Sequence, residues 1–111
     1  MPVKTLTAEG TGEISHLAAG IIWAADHGAN IINMSLGGPG FGADMTLSNA
    51  ITYAYEKGVL IISAAGNDLA QNGQNLDATP VYPVCGDNGK NMILGVAATD
   101  INDVKASFSN F

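Results

Sequence analysis

This sequence is poor in positive charge, in cysteine and in long apolar runs, and each shortage excludes a class of protein. Four lysines and arginines stand against ten acidic residues, so the formal net charge is −6, whereas nucleic-acid binding requires a basic surface. Cys85 is the only cysteine, which excludes a disulfide within the chain. No apolar run approaches the roughly 20 residues of a membrane-spanning helix. We therefore predict no nucleic-acid partner and no membrane span.

Charged residues of both signs are scarce as well. They make up 13% of the 111 residues, while hydrophobic residues make up 47%, and a free-standing domain normally has about a quarter of its residues charged. A chain of this length forms one domain at most. We therefore expect much of the surface to be covered by something outside these residues.

Short apolar runs alternate with segments whose apolar residues recur at helical spacing. The runs predict strands at residues 3–6, 29–34, 59–65 and 92–98. Helices are predicted from Ile14 to Ala25, ended by Gly28, and from a cap at Asp44 to Gly58. The runs show no polar alternation, which is typical of strands buried on both faces. The predicted fold is α/β, a three-layer arrangement in which helices flank a parallel sheet.

Two of the predicted strands end abruptly in small residues. The first continues into Ser35-Leu36-Gly37, and the second ends in Ala64-Ala65-Gly66 followed by Asn67. Ligands bind at the carboxyl ends of strands in open α/β sheets, and small residues there let a substrate backbone approach closely. The side-chain amide of Asn67 has two N–H donors for a developing negative charge. This pattern predicts a peptide-binding site that stabilises an oxyanion.

Other polar segments favour structural interpretations. The glycine-rich loop at residues 37–42 has neither the Gly-Lys-Ser/Thr end of a phosphate loop nor the GxGxxG spacing, so no nucleotide site is assigned. His27 stands in the last turn of the first predicted helix, where the helix dipole favours it, and neither it nor His16 is assigned as a catalytic base. The polar segment from Asp68 to Asn91 is long enough to be functional or mobile.

The ordered motifs resemble the central segment of subtilisin-like serine proteases, the subtilases, nearly from end to end. The matching segments are Val3-Lys4 to Leu6, Gly10-Thr11-Gly12, Gly20-Ile21 with Trp23-Ala24, Asn33 to Gly38 (NMSLGG), Ala64 to Asn67 (AAGN), Tyr82-Pro83 and Ala106 to Asn110 (ASFSN). Several motifs in order are more specific than any one of them. The resemblance implies that residues 1–111 are the central part of a subtilase catalytic domain, which is incomplete by itself.

The resemblance also implies roles for single residues. Asn67 would donate a hydrogen bond to the oxyanion of the tetrahedral intermediate. One edge of the substrate cleft would be Ser35, Leu36 and Gly37, and the opposite edge would be Gly10, Thr11 and Gly12. The pocket for the residue before the scissile bond would be lined by Ala64, Ala65 and Gly66. A second apolar pocket would be lined by Ile14, Leu17 and Leu36.

The family's catalytic Asp and His precede the matched segment, and its serine nucleophile follows it. We therefore expect the isolated chain to be inactive, as part of a serine endopeptidase whose partners are a peptide or protein substrate and the remainder of the catalytic domain. The alternative is a catalytically inactive subtilase-like domain that binds peptides or acts as a scaffold. An unrelated α/β domain would require every motif match to be accidental.

Metal content and localisation follow from the resemblance more than from the residues. Subtilases often bind structural calcium, and residues 77–91 are the region that could contribute, but no Ca²⁺-loop spacing occurs there. No metal ligand or cofactor is therefore assigned. The family is usually secreted or extracellular, although residues 1–6 lack the apolar region of a signal peptide.

Overall fold

A computed structural model describes residues 1–39, 44–68 and 72–111 of the chain. Its elements are α1 (Ile14–Asp26), β1 (Ile31–Met34), α2 (Met45–Glu56), β2 (Leu60–Ala64) and β3 (Ile93–Val96). The strands form one sheet in the order β1-β2-β3, and both pairs are parallel. The predicted α/β alternation and parallel sheet are confirmed. No described helix is long and apolar enough to cross a membrane.

The helix ends follow from local sequence. Oδ1 of Asp44 accepts a hydrogen bond from the backbone N–H of Thr46 at 2.7 Å, which confirms the predicted cap of α2. Gly28 and Gly58 follow the two helices with φ values of +82° and +78°, a conformation that costs glycine little. Glu13 is the N-cap residue of α1 but makes no side-chain capping bond.

The two helices pack against each other and cover one face of the sheet. This buried core contains the following residues: Leu17, Ala18, Ile21, Ala25, Met34, Leu47, Ala50, Ile51, Ala54, Val59, Ile61 and Met92. The opposite face of the sheet is apolar but exposed, with Ile31, Leu60, Leu94 and Val96 each 45–58% accessible. An apolar sheet face of this kind is normally covered. The chain is therefore a partial domain, as predicted.

The predicted strand at residues 3–6 is wrong. This segment forms no strand, and it packs on α1 instead, where a Cβ added to Gly20 would stand 2.4 Å from Cγ2 of Thr5 and 3.4 Å from Cγ1 of Val3. A cavity of about 540 Å³ lies between this segment, α1 and β1. A parallel strand requires backbone hydrogen bonds to a neighbour, which the apolar pattern alone cannot ensure.

Residues 72–91 contain no helix or strand, in agreement with the predicted irregular segment. Gly38 and Tyr82 form an isolated antiparallel bridge that ties this segment to the end of β1. The predicted loop at residues 37–42 is only partly described, since Gly40 and Gly42 lie outside the described residues.

An exposed ion pair joins the ends of α1 and α2. Asp26 Oδ1 accepts a hydrogen bond from Nζ of Lys57 and another from the Tyr53 hydroxyl, the latter at 2.7 Å. The bond from Lys57, followed by that from Tyr53, holds the pKa of Asp26 below its usual value of 3.8. The bond to Asp26 likewise raises the pKa of Lys57 above 10.5. The pair is solvated, so its contribution to stability is small.

We expect Asp26→Asn to lower the melting temperature of the complete protein slightly at neutral pH. Because the folded-state pKa of Asp26 is depressed, its stabilisation is present above pH 3.8 and is lost as the pH falls through the lower folded value. Thermal unfolding followed by circular dichroism across this range should show the two proteins converging in acid. Asp77→Asn, which removes no side-chain hydrogen bond to the described residues, is the matched control. A difference that stays constant with pH would contradict the assignment.

Candidate active site

The carboxyl ends of β1 and β2 lie side by side. Met34 pairs with Ser63 in the parallel register, so the segments that follow, residues 35–38 and 65–67, leave the same edge of the sheet. This is the edge at which parallel α/β sheets bind ligands. The small residues predicted to line a site therefore converge in space.

A cavity of about 380 Å³ lies between these two strand ends, and we call it the Asn67 cavity. Its described lining residues are Ser35, Leu36, Gly37, Gly38, Pro39, Ala64, Gly66, Asn67, Val81 and Asn110. None of them is charged. The structure thus brings together six residues that the sequence assigned to the oxyanion site, the cleft edge and the pocket wall.

A second cavity of about 260 Å³ lies on the other side of residues 36–37, and we call it the Leu17 cavity. It is lined by Leu6, Gly10, Thr11, Gly12, Glu13, Ile14, Leu17, Leu36 and Gly37. Because Leu36 and Gly37 line both cavities, the Asn67 cavity and the Leu17 cavity adjoin the same stretch of backbone. The residues predicted for the second edge of a cleft and for a second apolar pocket lie together here.

Asn67 is exposed at the rim of the Asn67 cavity. Its side-chain amide makes no hydrogen bond to the described residues, so both N–H groups are available to a ligand. Its backbone forms an antiparallel bridge with Ser109 and does not adopt a positive φ. The positive φ of this turn belongs to Gly66, at +90°. Asn67 is therefore not needed as a left-handed turn residue, a structural role that asparagine often has after a strand.

Ala65 is placed differently from its two neighbours. It is 5% exposed and lines neither cavity. Its N–H donates to the carbonyl of Val96 at 2.9 Å, and its own carbonyl accepts a hydrogen bond from Nδ2 of Asn110 at 3.1 Å. Ala65 therefore contributes backbone hydrogen bonds beside the cavity, and its side chain is buried.

Asn110 and Val81 line the Asn67 cavity and were not predicted. Asn110 is 3% exposed, and its Oδ1 accepts a hydrogen bond from the N–H of Gln74 at 2.9 Å. The ASFSN motif carried the only sequence signal for Asn110, and it indicated family likeness without a role. Asn110 follows Gly66 by 44 positions, so only the folded chain brings them into contact.

Outside the two cavities, His27 makes structural contacts, and the described residues form no cluster of metal ligands. His27 is the C-cap residue of α1, stacks on Trp23 with ring centroids 3.9 Å apart, and has Nδ1 2.7 Å from the carbonyl oxygen of Trp23. That nitrogen must therefore carry the proton. In the described part of the chain, no three His, Cys, Asp or Glu residues are grouped to hold a metal ion.

Known proteins with similar sequence and structure are proteases. The subtilase family profile matches residues 1–111. Subtilisin DY of Bacillus licheniformis is 38% identical over 108 residues, which are 97% of this chain and 36% of that protein. Thermitase of Thermoactinomyces vulgaris is 39% identical over 111 residues, which are the whole of this chain and 35% of that protein.

Solved structures show the same fold. A protease of Pseudoalteromonas arctica PAMC 21717 superposes with a TM-score of 0.81 at 33% identity, over 100% of this chain and 32% of its own. A cold-adapted subtilisin-like serine proteinase superposes with a TM-score of 0.75 at 31% identity, over 97% of this chain and 36% of its own.

The relatives exclude one of the interpretations that the motifs left open. The match covers the whole chain, which excludes an unrelated α/β domain with accidental motifs. The chain spans about a third of the length of subtilisin DY and thermitase, in agreement with a partial domain. Sequence, fold and relatives therefore agree that this chain belongs to the subtilase family of serine proteases.

Proposed function

We propose that the complete protein is a serine endopeptidase and that residues 1–111 supply its oxyanion donor and the walls of its substrate cleft. The observation that carries this proposal is the position of Asn67. Its side-chain amide, which makes no hydrogen bond to the described residues, stands at the rim of a cavity without a charged described lining residue, beside small residues from two parallel strand ends. Polypeptide outside these residues supplies the serine nucleophile and its base.

In the proposed mechanism, Asn67 acts while negative charge develops on the substrate carbonyl oxygen. The serine attacks the carbonyl carbon, the base takes the serine proton, and an Asn67 N–H donates to the oxyanion of the tetrahedral intermediate. The base then protonates the leaving amine, and water hydrolyses the acyl-enzyme by the same steps in reverse order. A fixed donor at this point is worth about 10²–10³ in kcat.

The cleft fits an extended peptide. Its backbone would pair with residues 35–37 on one side and with residues 10–12 on the other, in the manner of an added β-strand. The Asn67 cavity, at about 380 Å³ and without a charged lining residue, suits a large apolar side chain just before the scissile bond. The Leu17 cavity would hold a second apolar side chain of the same peptide.

The exposed sheet face supports the proposal of a further partner for these residues. Ile31, Leu60, Leu94 and Val96 form an apolar surface on the side away from α1 and α2. We propose that the remainder of the catalytic domain covers this face, which also accounts for the low content of charged residues. By analogy with the family, we place the complete protein outside the cell. We assign no calcium ligands within the described residues.

The test is hydrolysis of chromogenic peptides by the complete protein. We expect turnover of substrates with phenylalanine or leucine before the scissile bond, weak turnover with aspartate or lysine there, and inactivation by a serine-directed fluorophosphonate. Residues 1–111 expressed alone should show none. If the complete protein binds these peptides without cleaving them, the alternative of an inactive peptide-binding domain is correct. Cleavage that resists the fluorophosphonate would contradict the proposed chemistry.

A further inference from the structure

The Lys105 ammonium group is surrounded by main-chain oxygens. Its Nζ donates hydrogen bonds to the carbonyl oxygens of Asn72 at 3.0 Å, Ala106 at 3.1 Å and Ser109 at 3.0 Å. The ring centroid of Phe111 lies 5.2 Å from the same nitrogen. Among the described residues Lys105 makes no ion pair. All three protons are therefore used by the backbone, so this lysine acts as a fixed cation.

Two of these carbonyl groups belong to segments that hold the residues around Asn67. Ser109 forms the antiparallel bridge with Asn67. Asn72 precedes Gly73, whose N–H donates to the carbonyl of Asp68 at 2.8 Å, and Asp68 is the residue that follows Asn67. Asp68 is also held from the Ser109 side, since its own N–H donates to the carbonyl of Phe108 at 2.8 Å. Lys105 thus connects both supports of the Asn67 segment.

The approach of these two segments is unusually close. A Cβ added to Gly73, which has a φ of +80°, would lie 1.9 Å from the carbonyl oxygen of Ser109 and 3.1 Å from Nζ of Lys105. Only glycine permits this contact. The carbonyl oxygens gathered here carry partial negative charge, and without a cation they would repel one another and lose their hydrogen bonds.

The backbone of Lys105 is held independently of its side chain. Lys105 forms an antiparallel bridge with Thr99, and the N–H of Ala106 donates to the carbonyl of Ala98 at 2.9 Å. These contacts anchor Lys105 to the segment that follows β3. The ammonium group therefore extends from a backbone that is held in place and binds the carbonyl groups of Asn72 and Ser109.

We propose that Lys105 is a positioning residue for Asn67, acting as a fixed cation that binds the Asn72 and Ser109 carbonyl groups and so holds the oxyanion donor in place. Lys105 lines neither the Asn67 cavity nor the Leu17 cavity, so it acts through the main chain without touching substrate. This inference rests on the proposed function, because it assigns Lys105 a role through the donor that the function requires.

The test is a double-mutant cycle in the complete protein, with kcat and KM measured on one chromogenic peptide. Lys105→Met keeps the length of the stem and removes the charge, and we expect kcat to fall about tenfold with KM within about twofold of the wild type. Lys105→Arg keeps the charge and should lose less. In the Asn67→Ala background, Lys105→Met should cause no further loss, because the group it positions is gone.

Folding is monitored separately so that a misfolded variant is not mistaken for a mispositioned one. Active enzyme is counted by fluorophosphonate titration, and melting temperatures are compared. Lys90→Met is the matched control, because the Lys90 side chain makes no hydrogen bond to the described residues. An unchanged kcat in Lys105→Met, equal losses in the Arg and Met variants, or a loss that persists in the Asn67→Ala background would each overturn the positioning role.

The two proposals fail in different ways. If Asn67→Ala lowers kcat and Lys105→Met does not, the proposed function stands and only the role of Lys105 is overturned. If Asn67→Ala leaves kcat unchanged, the oxyanion role is wrong, and the role of Lys105 falls with it.

Discussion

Replacing Asn67 with alanine in the complete protein is expected to lower kcat by about 10²–10³-fold and to leave KM nearly unchanged. The reason is that the substrate carbonyl becomes a strong hydrogen-bond acceptor only as it turns into an oxyanion. A donor used mainly in the transition state contributes to kcat and little to ground-state binding. Steady-state kinetics on a chromogenic peptide measures both constants.

Two further substitutions make this test specific. Asn67→Asp has nearly the same shape but replaces both N–H donors by a carboxylate, so we expect a loss at least as large as that of alanine at neutral pH. Asn102→Ala is the control, since the Asn102 side chain makes no hydrogen bond to the described residues. A rise in KM that matches the fall in kcat/KM, with kcat preserved, would show that Asn67 binds substrate uniformly and does not act on the oxyanion.

Replacing Gly66 with alanine is expected to lower kcat/KM by about 100-fold for peptides with a large apolar residue before the scissile bond. Gly66 has a φ of +90°, and a Cβ there would lie 2.9 Å from Nδ2 of Asn110 and 3.7 Å from Cγ1 of Val81. Both neighbours line the Asn67 cavity. The added methyl group therefore narrows the cavity and displaces the backbone that leads to Asn67.

Narrowing of the Asn67 cavity and displacement of the backbone that leads to Asn67 have different effects on different substrates, so changing the substrate separates them. A peptide with alanine before the scissile bond needs less of the cavity, so its kcat/KM should fall less than that of the phenylalanine peptide. Gly89→Ala is the matched control, because Gly89 also has a positive φ, +73°, but has open space where the Cβ would go. It should lose about 1–2 kcal/mol of stability and no specificity. Equal losses on both peptides would mean that Gly66 does not shape the specificity pocket.

The elements that were predicted correctly have local causes. The side chain of Asp44 caps α2, and the positive φ values of Gly28 and Gly58 follow both helices, so these ends depend on residues within one helical turn. The strand at residues 3–6 was predicted on the same apolar pattern as β1 and is absent. Its formation depends on hydrogen bonds to another strand, and the local pattern contains no information about that neighbour.

The residues of the candidate site likewise divide into those with a local sequence signal and those whose role depends on distant segments. Asn67 was recognisable because it follows directly from a strand end, where ligands bind in this type of sheet. Asn110 and Lys105 were not recognisable as its supports, because they lie about 40 residues further along and bind main-chain carbonyl groups of other residues, such as Ala65 and Ser109. Main-chain carbonyl groups are the same in every residue, so no sequence motif marks the ones that Lys105 binds.

The sequence by itself determined the alternation of helices and strands, the edge of the sheet that carries the small residues, and the family. These depend on apolar periodicity, capping and short motifs, each of which is complete within a few neighbouring residues. Only the tertiary structure decided that residues from the 10–17 segment share one cavity with Leu36 and Gly37, that Asn110 contacts Gly66, and that the Lys105 ammonium joins two supports of Asn67. Such contacts arise when distant segments pack together, and packing depends on the shape of the whole folded chain.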